Sequence, residues 1–135
     1  MVQIKRIDGR DTWPIRHQVM WPDKPLAYIK LPEDARGLHF GLFVQEHLVS
    51  VVSLFVSGKT AQFRKFATLE TEQGKGYGSQ LLQGVFQVAK EQGVERIWCN
   101  ARASKVAFYS RFGLQATEKT FTKGGIKYVI LNAPL

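Results

Sequence analysis

The chain has 135 residues, 44% of them hydrophobic and 22% charged, and a formal net charge of +8 from 19 basic and 11 acidic side chains. This length and composition fit one soluble globular domain, residues 1–135, and argue against a disordered chain or two independent cores. The positive charge favours anionic ligands.

Three features of the sequence bear on the compartment. Residues 1–8 lack the apolar core of a secretory signal, and the longest apolar run, residues 48–56, is far shorter than the ~20 residues that span a bilayer. Cys99 is the only cysteine, so no internal disulfide forms, and a lone strand cysteine is more often a small buried side chain than a nucleophile. We therefore expect a cytoplasmic protein with no membrane partner.

The first part of the chain predicts a strand, a helix and a long irregular segment. Residues 2–7 alternate as in a strand, and a helix follows with Asp11 or Thr12 as its N-cap and Pro14 in its first turn. Residues 21–38 contain several prolines and little periodicity. Such a connection is typical of a lid or binding loop, and an irregular surface segment without a ligand is the equally open alternative.

The middle of the chain predicts an antiparallel meander. Residues 39–44, 48–55 and 60–69 have the composition of strands, and the connections between them, at 45–47 and 57–59, are short. Two tight turns in succession place each strand antiparallel to the one before it.

A glycine-rich turn, Gln-Gly-Lys-Gly-Tyr-Gly-Ser at residues 73–79, follows the third of these strands and opens an amphipathic helix. Glycine lets the backbone approach an anion closely, and N–H groups in the first turn of a helix have no partner within it. This pattern indicates a phosphate-binding site. A plain helix start is the alternative, although three alternating glycines exceed what a cap requires.

Two better-known phosphate loops do not fit this turn. The loop of nucleoside triphosphatases needs Lys-Ser/Thr after its last glycine, whereas Gly78 is followed by Ser79 and Gln80. The dinucleotide fingerprint belongs in the first strand-to-helix turn, with an acidic residue about 20 residues later. Here the turn lies past mid-chain and the next strand ends in Asn100, which argues against both classes.

The helix after the turn leads into a second strand. Its apolar residues recur at helical spacing: Leu81, Leu82, Val85, Phe86, Val88 and Ala89. Gly93 ends the helix as a left-handed cap, and residues 96–100 form a short strand. A strand, a helix and a strand in this order predict a right-handed crossover and a parallel pair.

The C-terminal part predicts a short helix and a hairpin. Ser104 can cap the helix, whose inward side chains are Ala107, Phe108 and Phe112. Residues 114–121 and 126–131 form a hairpin across Lys-Gly-Gly at 123–125. The fold class is α/β of the α+β type: a single domain whose mixed, mostly antiparallel sheet of about six to seven strands carries helices on both faces.

This layout and two motifs resemble the GNAT superfamily of acetyl-CoA-dependent N-acetyltransferases. The family motif Gln/Arg-x-x-Gly-x-Gly/Ala matches Gln73, Gly76 and Gly78. The second motif, Asn-x-x-Ala-x-x-Phe/Tyr-Tyr-x-x-x-Gly-Phe in loose form, is echoed by Ala-Phe-Tyr-Ser-Arg-Phe-Gly-Leu at 107–114. The similarity covers about residues 63–114.

Two positions depart from the family pattern. Ser104 stands where the family often has Asn, and Leu114 replaces the usual Phe after Gly113. The first change leaves one side-chain contact to the cofactor open, and the second affects core packing.

The resemblance implies a binding site between splayed parallel strands, which the pantetheine arm of the cofactor fills as an added strand. Thr68 lies where the family places the backbone N–H that polarises the thioester carbonyl. For Phe66, core burial is as well supported as cofactor contact, and Lys75 fits a solvated flank. The implied cofactor-binding residues are Phe66, Ala67, Thr68, Gln73, Gly74, Lys75, Gly76, Tyr77, Gly78, Ser79 and Ser104.

Tyr109 resembles the family's general acid. A phenol with an ordinary pKa near 10 stays protonated at neutral pH and can protonate a departing thiolate. The alternative is a tyrosine that anchors core packing through its hydroxyl.

The sequence leaves the general base open. Glu70 and Glu72 fit a solvated turn near the helix start, and His39 fits a hydrogen-bonded structural residue. Asn100 and Arg102 follow the second splayed strand and are candidates to face the substrate. No cluster of His, Cys, Asp and Glu has metal-ligand spacing, so we expect no metal.

The resemblance implies transfer of an acetyl group from acetyl-CoA to a primary amine of a small molecule or peptide by direct attack. Two alternatives stay open. One is an acyl-CoA-binding sensor of the same fold that does not catalyse transfer. The other, less supported, is a basic nucleic-acid-binding module, since the basic residues are scattered and no nucleic-acid motif is present. The acceptor is not determined by the fold, and the sequence is compatible with a homodimer.

Overall fold

The structure is a computed structural model that describes all residues, 1–135. One sheet contains seven strands: β1 (Val2–Ile7), β2 (Leu38–Val44), β3 (His47–Ser57), β4 (Thr60–Thr68), β5 (Arg96–Arg102), β6 (Gln115–Lys123) and β7 (Ile126–Pro134). Their order is β1-β2-β3-β4-β5-β7-β6, and only β4 and β5 are parallel. The predicted mixed, mostly antiparallel sheet is therefore confirmed.

Helices cover both faces of this sheet, as predicted. They are α1 (Gly9–Ile15), α2 (Tyr77–Glu91) and α3 (Val106–Ser110), with a π-helical turn at Arg16–Met20 that continues α1, and 3-10 turns at Leu26–Ile29, Pro32–Arg36, Glu70–Glu72 and Ala103–Lys105. A large apolar core lies under α2 and includes Leu82 and Phe63, while a smaller one under α1 joins Ile15, Val51 and Ala67. No helix is both long and apolar enough to cross a membrane.

The start of α1 differs from the prediction. Asp8, not Asp11 or Thr12, is the N-cap, and its N–H donates to the Asp11 carboxylate at 3.2 Å. The Thr12 hydroxyl instead donates to the carbonyl of Gly9 at 2.6 Å. Asp11 thus acts as the third residue of a capping box, which moves the helix start toward the N-terminus and puts Pro14 in the second turn rather than the first.

The predicted end of α2 is confirmed in detail. Gly93 has a φ of +82°, and the N–H groups of Gly93 and Val94 donate back to Lys90 and Ala89, both at 3.1 Å. These paired bonds satisfy carbonyls of the last turn and turn the chain directly into β5.

The short α3 helix differs from the prediction in two respects. Its N-cap is Lys105, because Ser104 lies inside the preceding 3-10 turn. Ala107 is exposed, whereas Val106 packs against the core together with Phe108 and Phe112. With so few residues, one face of α3 can bury only the side chains nearest the sheet.

The segment between α1 and β2 is held to the sheet by a buried ion pair. The Arg16 guanidinium donates to both carboxylate oxygens of Asp34 at 2.9 Å and to the Ser53 hydroxyl of β3 at 2.8 Å. Burial raises the pKa of Asp34, but hydrogen bonds from Arg16 and the Leu31 N–H outweigh it and hold that pKa below its usual value. This anchoring favours a structural role for the segment over a lid.

The two parallel strands separate soon after they meet. β4 and β5 pair only where Thr60–Gln62 faces Arg96–Trp98. Farther along, the register of β4 on β3 shifts, and Lys65 takes a left-handed backbone with φ +56°. This bulge inserts one extra residue and bends β4 away from β5.

Candidate active site

The gap between β4 and β5 opens into a cavity of about 580 Å³. Most of the residues that the sequence predicts for the site line this cavity: Phe66, Ala67, Thr68, Gln73, Gly74, Gly76, Tyr77, Gly78, Ser79 and Tyr109. Lys75 does not line it; its ammonium lies 3.0 Å from Glu72 at an exposed position. Ser104 is also exposed and outside the lining, so its contact with a cofactor stays a prediction.

The glycine turn presents free backbone donors to the cavity. Gly74 and Gly76 have φ values of +79° and +84°, a conformation that side chains strain, and a Cβ on either would meet no atom within 4 Å. Gly76 caps α2, whose first backbone bond is from Gln80 N–H to the Gly76 carbonyl. The N–H groups of the first turn, residues 77–79, are therefore free to bind an anion under the helix dipole.

Gly78 has a different role from the other two glycines. A Cβ on this residue would lie 3.0 Å from the Phe66 ring and 3.2 Å from the Thr68 hydroxyl. Gly78 thus lets α2 begin in close contact with β4, which brings the helix N-terminus to the edge of the gap. The sequence predicts phosphate contact for all three glycines without distinguishing this packing role.

The far half of β4 turns an unpaired edge toward β5. The Leu69 N–H donates to Val49 of β3 at 2.9 Å. Since successive residues of a strand point their N–H groups in opposite directions, the Thr68 N–H faces the gap. The Thr68 carbonyl points the same way and accepts a hydrogen bond of 2.8 Å from the Gln73 side-chain amide. This bond joins the end of β4 to the glycine turn.

Tyr109 packs beside this edge. Its ring centre lies 5.8 Å from that of Phe63, 6.3 Å from Phe66 and 5.2 Å from Phe108. Burial raises the pKa of Tyr109 above its ordinary value, with the neighbouring Cys99 adding to the shift. The phenol therefore stays protonated at neutral pH and can donate a proton into the cavity.

Two residues that sequence reasoning kept as candidates have structural roles. Cys99 is buried, and burial raises the pKa of its thiol to about 12. His39 is buried between the Ser53 hydroxyl and the Asp34 carbonyl, each 2.7 Å from a ring nitrogen. Cys99 fits the predicted packing role and His39 the predicted hydrogen-bonded role.

The opposite end of the cavity contains residues that the sequence analysis missed. They are Lys65 at the β4 bulge, Val19 and Met20 in the π-helical turn, and Tyr128 on β7. Arg102 at the end of β5, which the sequence had offered as a candidate to face the substrate, lies with them, and Asn100 also lines the cavity. We call Lys65, Val19, Met20, Tyr128 and Arg102 the bulge end. The loop end is the part lined by Phe66, Thr68, Tyr109 and the residues of the turn at 73–79 other than Lys75. One signal was available: Phe63 and Phe66, three residues apart, share a face only if the strand contains an extra residue.

Comparisons with known proteins agree with this architecture. The model of the acetyltransferase (GNAT) family matches residues 7–114. The protein YitI of Bacillus subtilis (strain 168), described as an uncharacterized N-acetyltransferase, is 31% identical over 93% of this chain and 91% of its own.

Solved structures show the same fold at lower identity. A putative N-acetyltransferase from Lactobacillus plantarum superposes with a TM-score of 0.89 at 17% identity, over 99% of this chain and 98% of the other. A GNAT family acetyltransferase from Elizabethkingia anophelis with acetyl-CoA bound superposes with a TM-score of 0.78 at 16% identity, over 99% and 98%. With the splayed strands and the family match over most of the chain, these findings show that the protein is an acyltransferase belonging to the GNAT family.

Proposed function

We propose that the protein transfers the acetyl group of acetyl-CoA to a primary amine of a small molecule or peptide by direct attack in the cytoplasm. The observation that carries this proposal is the single cavity between β4 and β5, which joins the free amides of α2 to Tyr109. Acetyl-CoA supplies a thioester whose carbonyl carbon accepts a nucleophile.

The loop end fits the phosphates and the amide-rich arm of such a molecule. The space beside Gly76 is open to an anion, and residues 77–79, whose N–H groups are free, line the cavity there. The unpaired edges of β4 and β5 offer backbone groups to an extended chain, as in strand addition.

Two groups of the loop end would act on the thioester. The Thr68 N–H faces the gap and would donate to the carbonyl oxygen as negative charge develops there; one such donor is worth about 3 kcal/mol in the transition state. Tyr109, kept protonated by its burial, would give its proton to the departing sulfur.

Direct attack is favoured over a covalent acyl-enzyme. Cys99 lines the cavity, but its raised pKa of about 12 keeps the thiol protonated and poorly nucleophilic. Among the earlier candidates for a base, His39 is held in a buried hydrogen-bonded network, and Glu72 pairs with Lys75. Neither of these two residues is therefore assigned as the base, and the proton of the acceptor amine would pass to another group or to a water chain.

Calorimetry and a thiol-release assay together test this proposal. We expect acetyl-CoA to bind with a 1:1 stoichiometry and an amine panel to produce free thiol together with the acetylated amine, identified by mass. Binding without thiol release for any amine would favour the sensor alternative. Absence of acetyl-CoA binding combined with a steep salt dependence of DNA or RNA affinity would favour the nucleic-acid-binding alternative.

A further inference from the structure

The charged side chains that line the cavity are mostly basic: Arg64, Lys65, Arg102, Lys105 and Arg111. Glu72 is the only carboxylate in the lining, and it lies at the loop end, where it pairs with Lys75 at 3.0 Å. The bulge end contains the cations Lys65 and Arg102 and no acidic side chain.

Two other basic residues near the bulge have carboxylate partners. Arg64 lies 3.6 Å from Glu33, and Arg16 lies 2.9 Å from Asp34. Lys65 forms no salt bridge, although it is partly buried. A partly desolvated cation without a counter-charge is unfavourable, and a bound anion would relieve it.

The surroundings of Lys65 increase this imbalance. Burial, together with the positive charges of Lys123, Arg64 and Arg16, lowers the pKa of Lys65 to about 8, and only Asp34 acts in the opposite direction. The left-handed backbone at Lys65 is strained for a side chain, with φ +56°. Strain and uncompensated charge at one cavity position are typical of a residue retained for function.

Arg102 is held in place from one side and free on the other. Its guanidinium donates to the Met20 carbonyl at 3.4 Å and lies over the Trp21 ring, 5.8 Å from its centre. It has no carboxylate partner. The planar donors that these contacts leave unused suit a carboxylate.

Both cations border one space on the α1 face of the sheet. The π-helical turn that contains Met20 packs against β4 and accepts the bond from Arg102, so it lies between the two strands. Tyr109 and Phe66 pack against the core on the α2 face, whereas Met20 and Val19 pack on the α1 side. The cavity thus has lining residues on both faces of the sheet.

We propose that the acceptor is an amine that also carries a carboxylate, as an amino acid or an acidic peptide does, and that Lys65 and Arg102 bind this carboxylate. The inference rests on the proposed acetyl transfer and names the substrate class of the same cavity. It assigns to the two residues a role in acceptor specificity, apart from the chemistry at Tyr109 and Thr68.

The test uses two bisubstrate analogues, in which the sulfur of coenzyme A is joined through an acetyl bridge to the amino group of glutamate or of glutamate diamide. Calorimetry with the full chain measures both and coenzyme A alone. We expect the glutamate analogue to bind at least about tenfold more tightly than the diamide, because a hydrogen bond to a charged group typically strengthens binding by this factor or more. The ratio should fall to about threefold or less in Lys65→Met and in Arg102→Gln, and stay unchanged in Lys127→Met, which removes an exposed lysine outside the cavity.

The outcomes separate the two proposals. If coenzyme A and the diamide analogue bind but glutamate gives no gain, the inference is overturned and acetyl transfer stands. The same holds if the gain survives in both cavity variants. If neither coenzyme A nor either analogue binds, the proposed function itself fails and the inference with it.

Discussion

The two ends of the cavity are built in different ways. Apart from the Phe66 ring and the Tyr109 phenol, the loop end offers backbone donors: the free amides of residues 77–79 and the Thr68 N–H, beside the open space at Gly76. The bulge end consists of side chains from four separate elements, among them Lys65 of β4 and Arg102 of β5. A backbone-built site needs glycines at fixed spacing and can be read from one short stretch, whereas a site built from distant side chains leaves no local pattern.

This difference also predicts how the two ends tolerate change. The loop end recognises groups common to every acyl-CoA, so any side chain that fills it should abolish activity toward all acceptors. The bulge end recognises the variable partner, so substitutions there should change acceptor preference while the binding of coenzyme A stays intact. The following variants test that division.

The largest effect is expected from filling the loop end. Gly76→Leu places a side chain where the anion would lie and should weaken acetyl-CoA binding by more than about 100-fold in calorimetry. Gly93→Leu is the matched control, because Gly93 has a similar φ, +82° against +84°, and equally open surroundings at the far end of α2. Both variants should lose about 1–2 kcal/mol of stability, so only binding distinguishes them. Equal affinity in the two would contradict a phosphate site at Gly76.

Removal of the Tyr109 hydroxyl should affect turnover without affecting binding. Tyr109→Phe keeps the ring that packs on Phe63 and Phe66, and we expect kcat to fall about 100-fold while the Kd for acetyl-CoA stays within about twofold. Tyr28→Phe removes a hydroxyl outside the cavity and should change neither quantity. An unchanged kcat in Tyr109→Phe would leave Tyr109 with a packing role only.

A pH series sharpens the assignment of the bulge end. The pKa of Lys65 is lowered to about 8, so the free protein loses this cation as the pH rises through that value. The preference for the glutamate analogue over the diamide should be constant below about pH 7 and should decline by several-fold above pH 8. Lys65→Arg should remove the decline, since an arginine stays charged. A decline that is identical in this variant would exclude Lys65 as its cause.

The smallest effect concerns stability. The folded-state pKa of Lys65, about 8, lies below the ordinary value of 10.5, so the unfolded chain binds more protons between those values. The free energy of unfolding should therefore rise as the pH increases from about 8 to 10.5. Below pH 8, the charged form of Lys65 lowers the free energy of unfolding by a constant amount. Lys65→Met keeps the side-chain length and should raise Tm at pH 7 by about 2 °C while weakening binding of the glutamate analogue. A lower Tm would mean that Lys65 stabilises the fold.

The features that could be predicted from the sequence are the local ones, as the contrast between the loop end and the bulge end shows. The sheet, the left-handed cap at Gly93 and the glycine turn of the loop end were predicted because each depends on local periodicity or on glycine. Phe66, Thr68 and Tyr109 were predicted only through the resemblance to the GNAT family. Asp8 was missed as a cap because Asp11 competes for the same role within one turn. The bulge at Lys65 could be predicted only from the odd spacing of Phe63 and Phe66.

The ion pair between Arg16 and Asp34, and the cavity that Lys65 and Arg102 share, could not be predicted, although Arg102 alone was a candidate to face the substrate. Each joins residues far apart in the chain through side-chain geometry: Arg102 and its partner Met20, for example, belong to opposite ends of the sequence. Periodicity predicts which face a residue occupies, but it does not predict which distant side chain lies opposite.

A crystal structure with the glutamate bisubstrate analogue bound tests the account most directly. We expect the pyrophosphate to accept hydrogen bonds from the amides of residues 77–79, the acetyl bridge to lie between Thr68 and Tyr109, and a glutamate carboxylate to lie within salt-bridge distance of Lys65 and Arg102. An analogue whose pyrophosphate lies away from the glycine turn, or whose glutamate points into solvent away from the bulge, would contradict the division of this cavity into two ends.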